Sequence, residues 1–119
     1  MLKSAKQRIP PYQTKDGSWI RELLHPDHHA ARNQSLAEAG VPPGVTTHLH
    51  RHRLSEEIYH ITQGSGVMRL GAEEFPVQPG DSILIPPGTP HAIRNSGEAE
   101  LLILCCCAPP YRHEDTELL

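Results

Sequence analysis

The chain has 119 residues, with 11 Lys and Arg against 14 Asp and Glu and a formal net charge of −3. That length suits one domain able to bury its own core, and the near balance of charge points away from nucleic acid and anionic membrane surfaces as partners. No apolar run approaches the roughly 20 residues of a membrane span, the first residues lack the apolar stretch of a signal peptide, and three adjacent cysteines cannot build a secreted disulfide framework, so the cytoplasm is the expected compartment.

Twelve prolines and nine glycines suit a fold of short strands and many turns. Residues 1–17 are mixed and polar and read as an N-terminal arm. Residues 18–24, Ser-Trp-Ile-Arg-Glu-Leu-Leu, read as a strand that stops at His25-Pro26. His25, His28 and His29 follow in a loop. Their spacing has neither a two-residue period nor a turn that would converge the rings, so they read as solvated. Residues 34–39 are the next strand, and Gly40-Val41-Pro42-Pro43-Gly44 turns the chain into a histidine-rich segment.

In His48-Leu49-His50-Arg51-His52 three imidazoles alternate with two other side chains. On a strand, His48, His50 and His52 share one face. His50 and His52 then lie about 7 Å apart along the strand and can tilt toward one ion at about 2.0–2.1 Å from each nitrogen. Glu57 follows on a second strand that Gly64 closes, so one hairpin offers imidazoles and a carboxylate on facing surfaces. The competing reading is a polar strand with solvated histidines. His48 is a substrate-facing group near the metal, a replacement for Glu57 in an all-histidine site, or a residue too far up the strand to matter. Tyr59, two residues after Glu57, faces the same cavity, either as packing or as a hydrogen-bonding group for substrate. Glu56 and His60 point the other way.

A meander of short strands follows at 67–70 and 75–77, and then the apolar run 83–85, read as a buried strand. Residues 86–90, Pro-Pro-Gly-Thr-Pro, make a rigid corner, and His91 is the first residue after it able to point inward. Residues 100–107 form the last strand. It includes the most apolar run of the chain and is expected to be buried on both faces, with Cys105 and Cys107 on one and Cys106 on the other. The thiols read as small hydrophobes, with a thiol facing the metal as the alternative. Residues 108–119 read as an extended C-terminal arm that lies over a barrel edge or a neighbouring subunit.

Gly44, His50-x-His52, Glu57 and Gly64 stand at the intervals of cupin motif 1, and Gly80, Pro86-x-Gly88, His91 and Asn95 at those of cupin motif 2. The chain thus resembles the small single-domain cupins and, within them, the group labelled mannose-6-phosphate isomerase-like. The resemblance implies an all-β fold, an antiparallel double-sheet jelly-roll β-barrel, here over residues 18–107. It also implies one divalent metal ion per chain (Fe, Mn, Ni, Zn or Cu) held by the residues matching the family's ligands, His50, His52, Glu57 and His91. Such a set resembles the 2-His-1-carboxylate triad with one more histidine and leaves coordination positions open.

The implied function is a metal-dependent enzyme of lyase, isomerase or dioxygenase type. Its substrate would be small and polar, such as a sugar acid or a keto or enol compound, with His48 and Tyr59 as candidate catalytic residues. A non-catalytic sugar- or small-molecule-binding cupin is the alternative, and a structural or regulatory dimer the third reading. A phosphosugar site would want Lys or Arg facing the cavity, and only Arg69 and Arg94 are near candidates. A homodimer is expected, because free strand edges need cover and the Pro-rich arms are suited to reach across.

Overall fold

The structure, a computed structural model, describes residues 2–119. Its strands are β1 (Tyr12–Gln13), β2 (Trp19–Leu24), β3 (Ser35–Val41), β4 (His50–His52), β5 (Glu56–Gln63), β6 (Gly66–Leu70), β7 (Glu73–Val77), β8 (Ser82–Ile85), β9 (His91–Asn95), β10 (Leu101–Ala108) and β11 (Thr116–Leu118). Short 3-10 turns occur at Lys6–Arg8 and His113–Asp115. The strands form a six-stranded sheet in the order β1-β2-β3-β10-β5-β8 and a five-stranded sheet in the order β11-β4-β9-β6-β7. Pairing is antiparallel in both, which is the expected double-sheet jelly roll. Among the described residues, no helix is long and apolar enough to cross a membrane.

Alternation along each strand builds the core between the sheets. Strand β10 sits between β3 and β5, and its Leu101, Ile103 and Cys105 pack with Tyr59 and Ile61 of β5 and Ala39 and Val41 of β3. Met68 and Ile93 close the core from the second sheet. Each fully buried Ile or Leu contributes about 1.5–3 kcal/mol, so this layer is the main source of stability. On the other side of the first sheet, Trp19 of β2 lies across Gly40 of β3, its register partner. A Cβ at Gly40 would meet the indole carbons at 2.0 Å, so only glycine fits beneath this ring.

Three expectations are corrected by the architecture. The run 83–85 is not buried throughout: β8 is an edge strand covered on one face only, and Leu84 is 53% exposed. Strand β10 is likewise buried on its inner face alone, while Leu102, Leu104 and Cys106 on the outer face are half-buried. The second sheet covers only one side. Within the terminal segments 2–17 and 108–119, β1 pairs with β2 and β11 pairs with β4 at the sheet edges. His25 holds the C-terminal segment in place. Its ring is buried rather than solvated, with Nε2 2.7 Å from the Tyr111 carbonyl oxygen.

All three cysteines are free, with Cys105 and Cys107 buried and Cys106 partly exposed. Burial, followed by the Glu57 charge, pushes the Cys105 and Cys107 thiols upward, which suppresses the reactive thiolate. Titration of the native protein with a thiol reagent should therefore modify Cys106 first, and the other two only after unfolding. Three equally fast thiols would mean that the inner face of β10 is open to solvent.

Candidate metal centre

Strand β4 is only three residues long, and its two inward positions are His50 and His52. His50 stands opposite His91 at the one register pair that joins β4 to β9. The corner before His91 is pinned to β4 by the Gly88 N–H, which donates to the His52 carbonyl at 2.7 Å. Glu57 enters from β5 of the other sheet, in register with Ile85 and Cys107. All four side chains are buried. The ring nitrogens of His50, His52 and His91 that face inward lie within 4.8 Å of one another, a group able to hold a metal ion. Glu57 Oε1 is 3.2 Å from His52 Nε2 and 3.6 Å from His91 Nε2. Glu57 thus borders the histidine group on the side of His52 and His91.

The hydrogen bonds behind the rings set their protonation pattern. His50 Nδ1 donates to the His48 carbonyl at 2.8 Å, and His91 Nδ1 to the Thr89 carbonyl at 2.9 Å. A carbonyl can only accept, so each neutral ring carries its proton on Nδ1 and turns a bare Nε2 lone pair inward. His52 Nδ1 donates to Thr116 Oγ1 at 3.1 Å, and that hydroxyl in turn donates to the Arg112 carbonyl at 3.0 Å. Outer hydrogen bonds of this kind orient metal-ligating imidazoles.

The inward atoms then face one another with no proton between them. Glu57 Oε1 and His91 Nε2 are both buried without a hydrogen-bond partner. Lone pairs opposed in a buried site call for a cation, and three imidazole nitrogens suit a divalent transition metal. His52 and Glu57, at 3.2 Å, are the closest of these opposed pairs. Burial pushes the Glu57 carboxyl up, but the two imidazoles outweigh it and hold the group down to about 2. Burial also pulls His52 down, yet Glu57 more than reverses this and the net shift is upward. Burial and the neighbouring His91 ring lower His50.

His50, His52 and Glu57 line a cavity of about 40 Å³, room for a few water-sized groups. Tyr59 lines it as expected, its ring 6.0 Å from that of His91. The expectation that His48 shares the ligand face is corrected. The ladder begins only at His50, and Thr47 takes the buried position before it, its Oγ1 accepting from the Ile93 N–H at 3.0 Å. His48 is left exposed in an outer groove with Arg69 and Arg94. Among the described residues, no Lys or Arg lines the metal cavity.

Two neighbours of the site, Asp16 and Tyr111, were missed by sequence reasoning. Asp16, in the turn between β1 and β2, brings Oδ2 to 3.6 Å from His50 Nε2. The Cys107 thiol donates to Glu57 Oε2 at 3.3 Å, so it touches the site as well as packing in the core. Tyr111 sets its ring 5.7 Å from that of His52. Asp16-Gly17 is a turn signal, but no spacing rule shows its carboxylate turning inward.

The Glu57 shift has a sign that can be tested. Its depressed value means that the carboxylate's contribution to metal-free stability is whole above the ordinary value of 4.5 and is lost as pH falls through about 2. Melting temperatures of the metal-free protein should drop across that acid range. Glu57→Gln should flatten the drop, and an unchanged profile in the variant would remove Glu57 from the acid transition.

The profile of the Cupin domain family matches residues 37–107. The chain is 57% identical over 119 residues to uncharacterized protein MJ1618 of Methanocaldococcus jannaschii, covering 100% of this chain and 95% of that protein. It is 27% identical over 120 residues to the tetracenomycin polyketide synthase protein TcmJ of Streptomyces glaucescens, covering 97% of this chain and 80% of that one. A solved structure described as a predicted oxalate decarboxylase of Thermotoga maritima matches with a TM-score of 0.78 and 25% identity, over 89% of this chain and 97% of that one. With the profile running from β3 into β10, and with the buried histidines standing at both motif positions, the chain belongs to the cupin family.

Proposed function

We propose that this cupin is a divalent-metal-dependent enzyme acting on a small, polar, uncharged substrate with keto, enol or hydroxyl oxygens, by lyase or isomerase chemistry. The observation that carries this reading is the convergence of three buried imidazoles beside Glu57 and next to a cavity without cationic side chains. His50, His52, Glu57 and His91 would hold the ion, and an Fe, Mn, Ni, Zn or Cu ion would supply Lewis-acid polarisation of a substrate oxygen. Tyr59 would offer a hydroxyl to the bound compound. The lack of a lining Lys or Arg favours keto and enol compounds over sugar acids and gives a phosphosugar label no support. A relative named as a polyketide synthase protein and a neighbour named as a predicted decarboxylase support catalysis over binding alone. Free thiols support a reducing compartment such as the cytoplasm.

Protein purified without chelator should carry about one divalent ion per chain, and His52→Ala and His91→Ala should lose it. Undiminished metal in both variants would end the metal reading. The loaded protein should turn over at least one member of a panel of β-dicarbonyl and α-hydroxycarbonyl compounds. Binding without turnover across that panel would make it a binding protein instead.

The proposal includes a homodimer. On the outer face of the first sheet, Leu36, Cys106, Ile58 and Leu84 stand in cross-strand register as one apolar row. Ile58 and Leu84 at its open end are 43% and 53% exposed. A row of this kind is costly to leave in water and suits a second copy of itself. Light scattering should give about twice the 13.2 kDa chain mass, and Ile58→Glu should return the protein to a monomer. A wild-type monomer at micromolar concentration would exclude the dimer.

A further inference from the structure

We propose that Asp16 is a fifth protein group of the metal centre, facing the open side of the ion, and that its charge confines that side to uncharged oxygen donors. This rests on the metal reading above.

Asp16 sits in the tight turn joining β1 to β2, where Thr14 N–H donates to the Ser18 carbonyl at 2.9 Å and Gly17 takes a φ of +92°. A turn carboxylate ordinarily faces water, but this one is held inward by its own loop. Its Oδ1 accepts from Thr14 Oγ1 at 2.6 Å, from the Ser18 N–H at 2.9 Å and from Ser18 Oγ at 2.6 Å. The Asp16 carbonyl accepts from the His48 N–H at 2.7 Å, which ties the turn to the segment leading into β4. One carboxylate oxygen is thus saturated. The other, Oδ2, lies 3.6 Å from His50 Nε2, and the side chain is only 12% exposed.

His50 has its Nδ1 proton committed to the His48 carbonyl, so Oδ2 and Nε2 oppose lone pair to lone pair. This repeats the arrangement of Glu57 and His91, at the same 3.6 Å separation. That separation is within the roughly 4.2 Å span available to two donors on one ion. Two carboxylates balance a divalent charge, and no Lys or Arg among the described residues lines the cavity to receive an anion. An anionic ligand would meet the Asp16 carboxylate with nothing to offset it.

Co(II) titration of the metal-free protein, followed by azide titration of the Co(II)-loaded protein read by visible absorption, tests this. Asp16→Asn keeps the Oδ1 acceptor that forms the turn and removes the charge. It should bind Co(II) about tenfold more weakly and azide about tenfold more tightly, shifts of the size that one partly screened charge contact produces. Asp16→Ser, which also retains a turn-forming oxygen, should show the same two opposite signs if the first variant folds poorly. Unchanged affinities for both probes, or weakening of both together, would make Asp16 a purely structural turn residue and overturn the proposal. Wild-type protein that takes up no Co(II) would overturn the metal reading itself. Normal wild-type uptake with unaltered variants would overturn only the role of Asp16.

Discussion

Opposed lone pairs are the constraint on which the site depends. Each inward imidazole is fixed from behind, His50 and His91 by backbone carbonyls and His52 by the Thr116 hydroxyl. None of these rings can turn its Nδ1 proton inward without abandoning a buried hydrogen bond, so the Nε2 atoms stay bare and convergent. Removing one partner and leaving the other buried costs about 1–3 kcal/mol. The architecture therefore stores a demand for positive charge at one point. A cation at that point would meet it.

The demand is shared among segments remote in sequence. Strands β4 and β9 of one sheet contribute the rings, β5 of the other contributes the carboxylate, and β11 contributes the hydroxyl behind His52. The chain ends are thus part of the site's frame. Asp115 accepts from the N–H groups of Leu54 and Ser55, fixing the loop between β4 and β5 that sets the distance from His52 to Glu57. Ser55 Oγ donates to the Pro109 carbonyl, so the same loop is held from both sides of the C-terminal segment. The separation of two donors a few residues apart is determined by contacts about sixty residues downstream.

The fold and the three convergent histidines were legible because they follow from local periodicity and fixed intervals. Alternation put His50, His52, Glu57 and Tyr59 inward, and a proline-rich corner placed His91 after it. The same rule failed at His48 because alternation holds only where a ladder exists, and β4 starts two residues later. Burial of the 83–85 run and of both faces of β10 was over-read, since apolar character does not reveal how many layers a sheet will have. Asp16 and Tyr111 were not legible, because they depend on how the chain ends fold back, which no interval encodes.

Trp19 is the chain's only tryptophan. Its ring covers Gly40, its Nε1 donates to Glu100 Oε1 at 2.7 Å, and the Arg21 guanidinium lies 4.9 Å above it. All of this occurs on the outer face of the first sheet, with the imidazoles on the far side of the core. Its fluorescence is therefore a native probe of whether β2 and β3 remain docked against each other.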